Sequence, residues 1–272
     1  MGRLLDWPTR LSRAPGRLLK LCRYGAGSRL GVCTVCDHHT GFLCVSDNKK
    51  EDLRCLHCGA IARTRLLAAA IVHRFGKQGA RSLTAIVRDA GIARSHIYEA
   101  QSTGPIHDVL RVVPGYACSE FMDDIAPGLS KNGVRCENME HLTFDDAVFD
   151  LVIHQSVLEH VRRPALALRE CLRVMRPGGW LIFEVPVCDY WVEGIRPSTV
   201  LRVDTSGTED VPLLPHFYHL DPLRPEGVLV YTDFGLDLQG QLEDIGFAVE
   251  VAIEAFANSR MSHAAVFCAQ KQ

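Results

Sequence analysis

No stretch of this 272-residue chain approaches the run of about 18 apolar residues that a membrane-spanning helix requires. The first residues also lack a compact apolar segment followed by a small-residue cleavage site, so no secretion signal is read and a soluble, cytoplasmic protein is expected. An excess of charge of one sign is missing too. Thirty Lys and Arg stand against 32 Asp and Glu, a net charge of −2, which excludes a globally basic nucleic-acid binder. Internal repeats and low-complexity tracts are absent, and 47% hydrophobic with 23% charged residues excludes disordered, collagen-like and coiled-coil classes. The length accommodates one domain of roughly 180–200 residues and a smaller one.

Cysteine, by contrast, is abundant, with eleven in the chain. Without a secretion signal these read as metal ligands and buried thiols rather than disulfides. Cys33-x-x-Cys36 and Cys55-x-x-Cys58 are separated by 18 residues. Each pair can bring two thiolates to one ion from a tight turn, so the four predict a tetrahedral zinc site, with His38, His57 and Cys44 as second-choice ligands. Gly59 directly after Cys58 suits such a turn. Four thiolates leave no position for water, so the ion is expected to be structural. The other seven, Cys22, Cys44, Cys118, Cys136, Cys171, Cys188 and Cys268, are expected to be small buried hydrophobes.

The chain divides into a basic extension at 1–31, the zinc knuckle at 32–60, a helical linker at 61–94 and a larger domain at 95–272 with an insertion at 187–231. The extension carries Arg3, Arg10, Arg13, Arg17, Lys20, Arg23 and Arg29 against Asp6 alone, and reads either as a loosely packed terminus or as an arm for an anionic surface, nucleic acid or targeting. From Ser95 the pattern alternates strands ("SHIYEA", "GYACSE", "VRCEN", "FDLVIHQ", "WLIFEVP") with helices ("PIHDVLRVV", Ala165 to Met175), "RPGG" making a tight turn before the last strand. Such alternation with apolar strands predicts an α/β fold, a mostly parallel sheet with helices on both faces, whose ligands sit beyond the carboxyl ends of the strands. A helix over "LDLQGQLEDIGF" ending at Gly246 and strands "AVEVAIE" and "HAAVFCAQ" follow. The insertion is rich in Pro, Gly and His and fits no regular pattern, as a lid would.

The segment "HLTFDDAVFDLVIHQSVLEHVRRPALALRECLRVMRPGGWLIFEVP" resembles the class I S-adenosylmethionine-dependent methyltransferases (methyltransferase type 11-like), in their pattern LxFxDxxFDxVxxxxVLEHVxxPxxALxExxRVLxPGGxxxFxVP. With the flanking strands the resemblance covers about Ser95 to Gln270. "IYEAQSTGP", "YHLDP" and "DFGLDLQGQLEDIGF", with the cysteine block, are similar to a subgroup joining an N-terminal knuckle to this domain. The resemblance implies a Rossmann-like seven-stranded sheet and S-adenosyl-L-methionine as cofactor. It implies that Glu120 binds the ribose hydroxyls, that Asn138 meets the adenine amino group with Met139 on the adenine face, and that Glu99, Gln101, Gly104 and Gln155 lie near the methionine moiety, with His154 beside them. The turn "EAQSTGP" departs from the family: only Gly104 remains of its glycines, and Gln101, Ser102 and Thr103 carry side chains where the family has few.

Methyl transfer from a sulfonium is an in-line displacement that asks the enzyme mainly to position the nucleophile and adjust its protonation. Candidate catalytic residues are Glu159 and His160 in "VLEHV", and His219, Tyr218, His216 and Asp221 in the insertion, since imidazoles exchange protons near neutral pH. The expectation is a methyltransferase of a small-molecule or sugar-like metabolite, the insertion covering the acceptor. An RNA methyltransferase gripping phosphate through the knuckle and basic extension is a second reading. A non-catalytic binding protein on this scaffold, favoured by the missing glycines, is a third.

Overall fold

The computed structural model describes residues 25–89, 91–187, 194–220, 224–256, 259 and 263–272. Cys22, Cys188, Asp221 and the basic residues from Arg3 to Arg23 lie outside the described residues.

A small antiparallel sheet comes first, β1 (Arg29–Val32), β2 (His39–Leu43) and β3 (Arg54–Cys55) in that order. The two Cys-x-x-Cys turns share one geometry. Asp37 and Gly59, each one residue past the second cysteine, take positive φ of 66° and 78°. Their amides donate to the carbonyls of Cys33 and Cys55, both at 3.0 Å.

Two helices follow, α1 (Ala62–Phe75) and α2 (Leu83–Arg88). Ile61 offers α1 no side-chain cap, and the first-turn amides of Ala62 and Arg63 donate instead to the carbonyls of Asp52 and Lys50 at 3.0 and 3.2 Å. Ser82 caps α2 by accepting from the amide of Ala85, while the amides of Leu83 and Thr84 donate to the carbonyls of Thr34 and Val35 in the first cysteine turn. The helices expected between the knuckle and the larger domain thus bond to the one and bury Leu67, Ile71, Leu83 and Ile86 against the sheet of the other.

That sheet is built from β4 (Ile97–Glu99), then α3 (Pro105–Leu110), β5 (Tyr116–Glu120), β6 (Ser130–Lys131), β7 (Val134–Cys136), β8 (Phe149–Gln155), α4 (Pro164–Val174) and β9 (Met175–Glu184). The insertion contributes short strands β10 (Val200–Leu201), β11 (Val203–Asp204), β12 (Val211–Pro212), β13 (Tyr218–His219) and β14 (Val228–Leu229), and β15 (Thr232–Asp233) follows directly after it. The fold closes with α5 (Leu238–Ile245), β16 (Phe247–Ala255) and β17 (His263–Lys271). The strand order is β16-β17-β9-β8-β4-β5-β7-β6, parallel from β9 to β7 and antiparallel at both margins. Seven strands match the expected sheet; the eighth is the two-residue β6, paired only to β7 on the edge.

Alternating side chains feed two apolar layers. Leu151, Ile153, Ile182, Val266 and Cys268 pack with residues of α1, α2 and α3. Phe149, Val152, Leu181, Phe183 and Phe267 pack with residues of α4 and α5. The "RPGG" turn lies inside β9: the register with β8 jumps from Phe149↔Met175 to Leu151↔Trp180, and Gly178 takes φ 77° to let the extra residues bulge out. Gly246 ends α5 with φ 116°, the left-handed C-terminal stop that only glycine enters freely. The insertion, without periodicity in sequence, is organised as three two-stranded ladders, β10 with β15, β11 with β12, and β13 with β14. Two-residue strands are too short to show a period. Among the described residues no helix is long and apolar enough to cross a membrane.

Candidate functional site

The strand order turns back on itself at β4 and β8, and in such sheets a ligand is expected at the carboxyl ends of these two strands. Glu99, last in β4, is 3% exposed and accepts a hydrogen bond from Tyr116 Oη at 2.7 Å; Tyr116 also meets His107 Nδ1 at 2.9 Å. Burial, reinforced by the charge of Glu120 and opposed by Tyr116, pushes the Glu99 carboxyl up to about 8. The turn after it is held by its own side chains. Gln101 Oε1 accepts from the amide of Gln155 at 3.1 Å, and Gln155 Nε2 donates to Thr64 Oγ1 of α1 at 3.0 Å. Ser102 donates to Glu120 Oε1 twice, from its amide at 2.7 Å and its hydroxyl at 2.9 Å. Gly104 has φ 109°, and a Cβ there would meet no atom within 4 Å. Past β7, Asn138 Oδ1 accepts a hydrogen bond from the amide of Glu140, and Met139 is buried in the same apolar layer as Tyr98. His154 faces inward on β8, stacked on Phe183, and burial pushes it down to about 4, so it is a neutral core residue.

Glu159 and His160 sit on the single 3-10 turn Leu158–His160 that follows β8. The insertion comes down on them: β14 presents the carbonyl of Leu229 to His160 Nδ1 at 2.8 Å, and β13 delivers His219, whose Nδ1 is 3.2 Å from His160 Nε2. Glu159 Oε1 lies 3.7 Å from His160 Nε2 and 3.5 Å from His219 Nδ1. Burial acts to raise the Glu159 carboxyl, but the two imidazoles hold it below its usual value. Tyr218 and His216 do not join this cluster. Tyr218 is 52% exposed, and its ring stacks edge-on with that of His216.

Beside this cluster lies an ion network whose residues no sequence motif indicated. Arg63 of α1 pairs with Glu51 at 2.7 Å and with Glu184, the last residue of β9, at 3.1 Å. Ser156 bridges Arg63 and Glu184, and Lys50 stands 3.8 Å from Glu184. An acid ending an otherwise apolar strand was the available signal for Glu184; Arg63 resembles any residue of a helix's polar face.

The four knuckle sulfurs converge. Cys33 and Cys58 are 3.7 Å apart, Cys36 and Cys55 3.9 Å, and all four lie within 4.8 Å of one another. Tetrahedral zinc with bonds of about 2.3 Å spaces its sulfurs by about 3.8 Å, so these residues fit the ion. Of the second-choice ligands, His38 and His57 stack on each other at 3.4 Å and Cys44 donates to the carbonyl of Ser46. Cys136, Cys171 and Cys268 are buried and Cys118 partly so.

Comparison with known proteins bears on the segment from α3 to β9. Residues 105–183 match the methyltransferase domain family. The chain is 32% identical over 123 residues to a probable S-adenosylmethionine-dependent methyltransferase of Mycolicibacterium smegmatis, covering 45% of this chain and 38% of that one. It is 31% identical over 77 residues to the ubiquinone biosynthesis O-methyltransferase of Coxiella burnetii, covering 26% and 33%. The chain therefore spans between 33% and 38% of the length of these curated relatives. Among solved structures, a SAM-dependent methyltransferase of Methanosarcina mazei aligns with a TM-score of 0.43 at 17% identity, over 74% of this chain and 96% of that one.

Proposed function

We propose that this protein transfers a methyl group from S-adenosyl-L-methionine to a small-molecule acceptor held under the insertion, and that its four-cysteine knuckle carries a structural zinc ion. The observation that carries the reading is Ser102 Oγ on Glu120 Oε1: at the strand end where the family binds ribose, a carboxylate already accepts from a hydroxyl. A ribose hydroxyl would make the same bond in place of Ser102. Asn138 and Met139 would take the adenine, and Glu99, Gln101, Gly104 and Gln155 would border the methionine end. Bound there, S-adenosylmethionine supplies an electrophilic methyl group.

Glu159, His160 and His219 supply the acceptor side, with Tyr218 on the same ladder as His219. The insertion closes over them through the amide of Tyr231, which donates to the carbonyl of Glu159 at 2.8 Å, and this cover favours an enclosed metabolite. The Coxiella relative, an O-methyltransferase of ubiquinone biosynthesis, supports an oxygen acceptor. Cys33, Cys36, Cys55 and Cys58 would hold zinc with no open position, locking the first cysteine turn, whose Thr34 and Val35 carbonyls receive the amides that start α2.

Calorimetry with S-adenosylhomocysteine tests the cofactor. Binding by the wild type, lost in Glu120→Ala, is expected; no binding by the wild type overturns the activity, and unchanged binding by Glu120→Ala overturns the ribose placement. Elemental analysis is expected to find zinc that Cys55→Ser with Cys58→Ser removes.

A further inference from the structure

Glu159 is 2% exposed, and neither of its carboxylate oxygens has a hydrogen-bond partner among the described residues. A buried carboxylate in that state is strongly unfavourable unless a cation meets it. The nearby guanidinium of Arg63 is engaged by Glu51 and Glu184. What faces Glu159 is a pair of imidazoles. His160 Nδ1 is 2.8 Å from the carbonyl of Leu229. A carbonyl only accepts, so that nitrogen carries the proton and Nε2 presents a lone pair to the cluster. This is how metal-binding histidines are usually oriented, with the far nitrogen donating to a backbone carbonyl.

The separations have the size that an ion requires. His160 Nε2, His219 Nδ1 and Glu159 Oε1 form a triangle with edges of 3.2, 3.5 and 3.7 Å. Ligands about 2.0–2.1 Å from a tetrahedral ion lie roughly 3.3–3.4 Å apart. A hydrogen bond between the imidazoles alone would account for the shortest edge and leave Glu159 only the longer approaches of 3.5 and 3.7 Å to the two rings.

We propose that Glu159, His160 and His219 form a second, divalent-metal site, separate from the four cysteines and open at one or more coordination positions. Two imidazoles and a carboxylate suit zinc, manganese, iron or cobalt better than magnesium. Three protein ligands are the mark of a site that binds a further oxygen, whereas the four cysteines close theirs. The ion would tie the insertion to the end of β8, because β13 supplies one ligand and β14 orients another. Resting on the methyl-transfer reading, an acceptor hydroxyl held by such an ion would release its proton to solvent more readily, and its oxygen would take the methyl group as the bond from that carbon to the sulfonium sulfur breaks and S-adenosylhomocysteine leaves.

Metal counting on the full-length protein tests the site. After loading with zinc and removal of free ion, two equivalents per chain are expected in the wild type and one in His219→Ala. With cobalt(II), the thiolate charge-transfer band of the cysteine site should persist in that variant while the weaker visible bands of the second ion vanish. Glu159→Gln, which keeps size and packing, serves as the second variant if His219→Ala does not fold, and is expected to weaken the second ion at least tenfold in a calorimetric titration. A single equivalent in the wild type, with no second binding event for zinc, cobalt(II) or manganese(II), overturns the proposal. So does a second equivalent retained by both variants. A protein that takes the second ion but does not bind S-adenosylhomocysteine keeps this site and refutes methyl transfer; the reverse result refutes only the site.

Discussion

The imidazoles of His160 and His219 meet at 3.2 Å although 59 residues separate them in the chain. One ladder of the insertion arranges both, β13 carrying His219 and β14 giving its Leu229 carbonyl to His160.

That arrangement depends on Gly227, which has φ 82° and whose added Cβ would stand 2.6 Å from the carbonyl oxygen of His219. Gly227→Ala should push β13 away from the 3-10 turn. A loss of about 1 kcal/mol or somewhat more in stability is expected from the positive φ and the clash, together with loss of the second metal equivalent and of activity. Urea unfolding and metal counting on one preparation check both.

Ser102 and a ribose would compete for Glu120. Ser102→Ala removes one competitor while leaving the backbone donor, and should tighten S-adenosylhomocysteine by up to about tenfold, the worth of one hydrogen bond of about 1.4 kcal/mol. Glu120→Ala should weaken it by about 10- to 100-fold. Calorimetric dissociation constants for the two variants should therefore move in opposite directions.

Glu99 makes stability depend on pH. Its carboxyl rises from 4.5 when exposed to about 8 in the fold, so between these values the folded state binds a proton that the unfolded chain has released. The contribution is fully present below pH 4.5 and is lost as pH rises through about 8, because ionised Glu99 must then be desolvated beside Tyr116 and Glu120. Glu99→Gln abolishes the titration. Measured by urea midpoints at pH 5, 7 and 9, the wild type should lose stability relative to Glu99→Gln on the order of a few kcal/mol as pH rises.

Arg63 stands between two acids, and Glu184 is fully buried. Arg63→Met leaves that carboxylate without its closest cation and should cost about 3–5 kcal/mol. Adding Glu184→Leu should recover a large part of the loss, since a buried pair replaced by apolar groups is often near neutral. A double-mutant cycle in urea checks the sign of the coupling.

Periodicity made the framework readable. The strand that "FDLVIHQ" predicts is β8 at Phe149–Gln155, legible because a strand covered on both faces is apolar along most of its length. The stop of α5 at Gly246 was readable for an equally local reason, its left-handed backbone. The cysteine spacing predicted four sulfurs around one point, since each turn of four residues can be built without reference to the rest of the chain. The insertion shows no period in the sequence, for its strands are two residues long.

What the sequence determined alone is therefore what neighbouring residues decide: the α/β alternation, the helix stops, the two cysteine turns and the residue types at the strand ends. The tertiary structure decided the partners: Ser102 on Glu120, Gln101 on the amide of Gln155, Arg63 on Glu184, and His219 against His160 and Glu159. These contacts join segments brought together by sheet order and by the seating of the insertion. A hydrogen bond or ion pair across such distances in the chain leaves no period or spacing in the sequence, only the polar residue itself.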